Sequence, residues 1–136
     1  MKEELDLDYV LDCNVSKSKP WGDEIVPMFI PGLPILDETL FLHSATKTLL
    51  VTDLVFNFQK EDISTIVWMY MKFVRGMQPM FVLPVFEERI LDSQAFGDAI
   101  NQVFSWDFEQ VQMCHTQAYC EEDAKVLFME SMSRLF

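Results

Sequence analysis

The order of the residues predicts an α/β domain built as a mixed, mainly antiparallel sheet with covering helices. Two observations carry this expectation. Short apolar runs bounded by turn residues crowd the first half of the chain, at Glu24 to Ile30, Leu40 to His43 and Thr48 to Asp53. Longer runs with helical spacing fill the second half, interrupted by one further strand-like run at Val111 to Cys114.

Each element has a local reason. Leu5 to Leu11 alternates apolar residues with Asp6, Asp8 and Tyr9, which suits a short, acid-edged strand better than a helix. Lys17 to Gly22 is a loop with Pro20 and Gly22, and the run from Glu24 to Ile30 carries Pro27, which confines it to an edge or a bulge. Pro31-Gly32-Leu33-Pro34 breaks the chain. Ser44-Ala45-Thr46-Lys47 has the length and composition of a hairpin turn between the next two strands. Asp62 or Ser64 caps a helix running to about Arg75, and Gly76 ends it. A second helical region spans about Val85 to Phe104, with Ile90, Leu91, Phe96, Ile100, Val103 and Phe104 on its inner face and Gly97 weakening its middle. The last helix spans Glu121 to Leu135; its acidic first turn complements the positive end of the helix dipole, and Ala124, Leu127, Phe128, Ser131 and Leu135 face inward.

Composition narrows the function. A chain of 136 residues, half of them hydrophobic, is long enough to bury a core in one domain. The net charge of −12, with 10 scattered basic residues, argues against nucleic acid and against an anionic membrane surface. The acidic start, Met1-Lys2-Glu3-Glu4, has neither the charge pattern of a signal peptide nor that of a transit peptide. No uncharged stretch approaches the ~20 residues that cross a bilayer. Three cysteines, Cys13, Cys114 and Cys120, cannot all pair within one chain, so free thiols in a reducing intracellular compartment and a soluble protein are expected.

Two strand ends draw attention. Leu49-Leu50-Val51-Thr52-Asp53 and Val111-Gln112-Met113-Cys114-His115 each deliver one metal-ligating side chain where an apolar run stops. In layered α/β folds the strand fixes the backbone there and the loop leaves the side chain free. The stretches Glu38-Thr39-Leu40-Phe41-Leu42-His43 and Lys47 to Asn57, followed by Trp106-Asp107-Phe108-Glu109-Gln110-Val111 leading to His115, resemble an uncharacterised branch of the metallo-β-lactamase-like superfamily. The resemblance runs from about Trp21 to the C-terminus and implies the second half of an αββα sandwich. It divides the chain into an acidic N-terminal strand and loop, residues 1–22, and a half-domain, residues 23–136. It also implies that Asp53 matches the metal-bridging aspartate and His115 the last histidine ligand.

The departures from that pattern decide the expected chemistry. With only His43 and His115, the hallmark H-x-H-x-D-H motif is absent, and Thr116 stands where a glycine usually follows the last histidine. A catalytic zinc needs about three protein ligands and an open position for water. Asp53 and His115 therefore read as vestigial ligands, with no catalytic residue and no cofactor; zinc or iron enters only if a partner completes the site. A trio of His115, Asp53 and Cys120 across a loop has no recognised spacing. Cys114 reads as a small core residue, Cys120 as incidental, and His43 as a turn histidine bonded to nearby backbone. Asp53 also has a structural alternative, capping the loop that follows it.

One stretch is unusual: Ile66-Val67-Trp68-Met69-Tyr70-Met71-Lys72-Phe73-Val74 is apolar nearly all round when drawn as a helix. Such a helix is buried on several sides or meets a partner. Trp68, Met69, Tyr70, Met71 and Phe73 are the expected contact residues. The expected function is a non-catalytic binding or structural subunit, a pseudoenzyme that pairs with another protein or a second copy. The enzyme alternative is a metal-dependent hydrolase whose site is completed in trans by a separate N-terminal half.

Overall fold

A computed structural model of the chain describes residues 21–61, 63–75 and 79–135. The expected strand at Leu5 to Leu11, the loop from Lys17 to Pro20, Cys13, the cap at Asp62 and the stop at Gly76 lie outside the described residues.

Four strands form one sheet in sequence order: β1 (Ile25–Phe29), β2 (Thr39–His43), β3 (Thr48–Val51) and β4 (Gln110–Met113). The first three run antiparallel, while β3 and β4 are parallel, with Val51 opposite Met113. The sheet is therefore mixed and mainly antiparallel, as the sequence predicts. Pro27 sits on the edge strand. Glu24 and Ile30 bond to the β2 side through Ser44 N–H to Glu24 O and Ile30 N–H to Glu38 O. The alternation of an antiparallel ladder then turns the nitrogen of Pro27 to the outer edge, where a missing donor costs nothing.

Strand alternation separates two faces. Leu40, Leu42, Leu49, Val51, Val111 and Met113 are buried beneath the helices. Those helices are α3 (Ser93–Phe104), which packs on β1 and on α4, and α4 (Ala124–Met132), which packs on β4. Phe96, Ile100 and Val103 of α3 and Ala124, Phe128 and Met132 of α4 close the core. Phe108 meets Phe128 edge-on, with ring centres 5.8 Å apart. Each fully buried apolar side chain of this size contributes about 1.5–3 kcal/mol. On the opposite face Phe41 and Leu50 stand opposite each other and are only half-buried. Leu50 sits between Leu49 and Val51 in an unbroken apolar run, and the strand's two-residue period sends it to the other side.

The helix expected from Val85 to Phe104 is two helices, α2 (Pro84–Glu87) and α3. The break has a cause in the Pro31–Pro34 loop. Gly32 O accepts from Leu91 N–H at 2.7 Å, diverting that amide from a helix ladder. Asp92 then caps α3 by accepting from Ala95 N–H at 2.9 Å. Leu91 is consequently exposed rather than on the inner face. Gly32 has φ +85°, and a Cβ there would lie 2.2 Å from Asp92 O, so the approach requires glycine. The last helix is also shorter than expected, beginning at Ala124 after its acidic lead-in; Leu127 is half-buried while Met132 joins the core.

The hairpin turn at Ser44–Lys47 is present, with Lys47 at φ 51°. Lys47 Nζ donates to Glu109 at 2.7 Å and pairs with Asp107 at 3.1 Å. Those two bonds hold its pKa above the usual lysine value. Lys47 O also accepts from Glu109 N–H at 2.8 Å, so the turn guides the chain into β4.

Candidate functional site

Asp53 and His115 come together. Val51 and Met113 are register partners on parallel strands, and each functional residue lies two positions beyond its partner. Equal offsets from a paired position place the side chains side by side, with His115 Nε2 3.2 Å from Asp53 Oδ1. The two side chains are 60% and 44% exposed, so the pair is worth at most about 1 kcal/mol to stability.

A buried carboxylate holds the Asp53 side of this site. Glu38, 2% exposed, accepts from Thr52 N–H at 2.8 Å, Thr52 Oγ1–H at 2.5 Å and Asp53 N–H at 3.0 Å. A buried carboxylate needs such donors, and these three fix the turn in which Asp53 stands. On the His115 side, the Thr116 hydroxyl accepts from Asn57 N–H at 2.9 Å, and Asn57 Nδ2–H donates to Gln117 O at 3.2 Å. Thr116 thus ties the loop after β4 to the strand-exit loop of β3. Sequence reasoning missed both Glu38 and Asn57, because a single acid beside Asp37 and a single amide in an apolar run carry no motif.

The other nominated side chains go elsewhere. Cys114 is exposed, not a core residue: β4 ends at Met113, and Cys114 falls on the open sheet face. With Phe41, Leu50 and Gln112 it lines a shallow groove of about 330 Å³. Cys120 is also exposed, and no group of three or more metal-donor residues forms among the described residues, so the His115–Asp53–Cys120 trio is not assembled. His43 lies at the far end of the sheet, at the hairpin. Its Nδ1 is 2.6 Å from Thr46 Oγ1 and its Nε2 is 3.2 Å from Glu24 Oε1, side-chain partners in place of the expected backbone. Asp53 and His115 supply two donors against the roughly three a catalytic zinc requires.

A second surface stands out. Phe56 and Phe81 exchange backbone hydrogen bonds of 3.0 and 2.9 Å, and the rings of Phe56, Phe58 and Phe81 cluster above them. The chain between these clamped ends carries α1 (Thr65–Arg75), which packs against no other helix or strand among the described residues. Ile66, Met69, Tyr70 and Phe73 follow i, i+3, i+4, i+7 spacing and are all exposed, Ile66 by 80% and Phe73 by 92%. Trp68 is half-buried, with Lys72 Nζ 4.8 Å and Lys60 Nζ 5.5 Å from its ring centre. The side chain of Met71 lies outside the described residues. No described helix is long and apolar enough to cross a membrane.

No protein family, curated protein or solved structure matches this chain.

Proposed function

We propose that the chain is a non-catalytic binding or structural subunit, derived from a metallo-β-lactamase-like protein, that acts through contacts with another protein or a second copy. The observation that carries this reading is α1: an exposed apolar stripe on a helix that follows the Phe56–Phe81 clamp and packs on no other described helix or strand. Leaving large apolar side chains in water forgoes about 1.5–3 kcal/mol each, which a contact surface recovers on binding. Methionine and aromatic residues suit such adaptable surfaces. Trp68, Met69, Tyr70 and Phe73 make the contact. The test is a benzophenone cross-linker placed at Tyr70 and activated in extract of the source cells. Discrete adducts with a second polypeptide support the reading; adducts with none overturn it.

The alternative, hydrolysis by a metal site completed in trans, draws on the meeting of Asp53 and His115 at 3.2 Å. In that version both are ligands, and a partner contributes the remaining donors. Elemental analysis of the isolated chain separates the readings. The subunit reading expects no stoichiometric zinc or iron. One metal per chain, lost in His115→Ala, favours the alternative.

A further inference from the structure

Two uncharged surfaces of this chain fit each other. The first is the open face of the sheet. Strand pairing sets Pro27, Phe41, Leu50 and Gln112 in one row across all four strands, and the exposed Phe29 stands beside it. Among the described strand residues, none that points to this face is Asp, Glu, Lys or Arg, in a protein with 22 acidic and 10 basic side chains. A sheet face left in water carries polar residues along its outward alternation, so an apolar, uncharged one marks a contact. The second surface is the α1 stripe. Ile66, Met69, Tyr70 and Phe73 share one side of the helix, and the helical period carries Lys72 to the other side, where its Nζ stands 4.8 Å from the Trp68 ring centre. A helix that packs on no other described helix or strand, and a sheet covered by helices on one face only, are the two parts of a layer contact.

Area and charge select the occupant. At about 200 Å² for a large side chain, the stripe exposes on the order of 600 Å² and the open face on the order of 250 Å². Neither alone reaches the ~800 Å² per partner that stable association buries, and the two together do. A second copy brings both at once, because in a two-fold dimer each helix can cover the other copy's sheet face. Copies that each carry −12 repel, so a contact between them holds only where neither presents charge, as on these two surfaces. The groove of about 330 Å³ on the open face, beside Leu50 and Gln112, has room for one large side chain of the stripe. Resting on the proposal that α1 is a contact surface, we infer that the chain forms a reciprocal homodimer in which the Ile66–Met69–Tyr70–Phe73 stripe of each copy packs on the Phe41–Leu50 face of the other, with Phe73 seated in the groove.

The test uses the purified full chain and opposite charges placed across the contact. Sedimentation at micromolar concentration should find a dimer. Phe73→Asp and Leu50→Lys should each weaken it at least about tenfold, as charge in an apolar contact does. An equal mixture of the two variants should recover a heterodimer: the new acid of one chain then meets the new base of the other, while the second helix-to-face contact is wild type. Circular dichroism checks the fold of each variant. Should Leu50→Lys fail to fold, Gln112→Lys, at an exposed position on the same groove, takes its place. A monomeric wild type overturns the inference while leaving α1 free to meet another protein. A dimer insensitive to Leu50→Lys means helix-to-helix pairing, one insensitive to Phe73→Asp means face-to-face sheets, and a mixture without recovery means the contact is not reciprocal; each overturns the inference. If the wild type is monomeric and the Tyr70 cross-linker finds no polypeptide in cell extract, the reading of α1 as a contact surface falls as well.

Discussion

Glu38 offers the sharpest perturbation of the Asp53 site. Its carboxylate accepts three bonds, from Thr52 N–H, Thr52 Oγ1–H and Asp53 N–H, while 2% exposed. Bonds to a charged acceptor are worth about 1.5–3 kcal/mol each, but the exposed Thr52 recovers water once released, so Glu38→Ala should lose about 2–4 kcal/mol. Glu38→Gln keeps the shape. Either orientation of its amide sets an NH₂ against a backbone N–H, so it should lose about 1–2 kcal/mol. Urea titration measures both, with an unchanged slope if the unfolded ensemble is unaltered. The amide resonances of Thr52, Asp53 and His115 should shift in both variants, because the turn carrying Asp53 is released. A loss below about 0.5 kcal/mol for Glu38→Ala would refute the claim that this carboxylate organises the site.

Three further outcomes follow from the fold. Leu49→Ala, at a fully buried position, should cost about 2–5 kcal/mol, whereas Leu50→Ala on the open face should cost under about 1 kcal/mol by the same denaturant titration; equal losses would mean the two faces are misassigned. Gly32→Ala forces a Cβ against Asp92 O in a left-handed backbone and should destabilise by more than about 2 kcal/mol, read by thermal unfolding. Lys47 is held above its ordinary value of 10.5 by Glu109 and Asp107, so the stability it adds is complete below that pH and fades as pH rises through its folded value. Lys47→Met should flatten that part of an alkaline stability profile.

The sequence displayed the parts of this structure that depend on local pattern. The Ser44–Lys47 turn and the edge position of Pro27 each follow from short-range rules. That Asp53 and His115 each close an apolar run was legible, whereas their contact depends on the parallel register of Val51 with Met113, which no local pattern announces. Long-range bonds were not legible. The break between α2 and α3 depends on Gly32 O, some 60 positions from Leu91 in sequence, capturing its amide; helical periodicity alone reads through the break. Glu38 looks like one acid among 22, and only the folded turn of Thr52 and Asp53 gives it three donors. The face taken by Leu50 was not legible, because the apolar run Leu49-Leu50-Val51 hides the strand's alternation. Cys114 was misplaced because alternation, two positions beyond the exposed Gln112, sends it to the open face of the sheet.

The central claim is that α1 makes protein contacts, and paired capture measures it most directly. Tagged wild-type chain and an Ile66→Asp, Phe73→Asp variant are recovered under identical conditions from the source cells, and their co-purifying polypeptides are quantified. Both residues are at least 80% exposed, so the variant should keep its fold, with circular dichroism and unfolding midpoint unchanged. The expected result is a polypeptide held in fixed ratio by the wild type and reduced at least about tenfold in the variant, a loss of about 1.4 kcal/mol that two charges placed in an apolar contact should exceed. Equal recovery by both forms, with the fold intact in each, would contradict it.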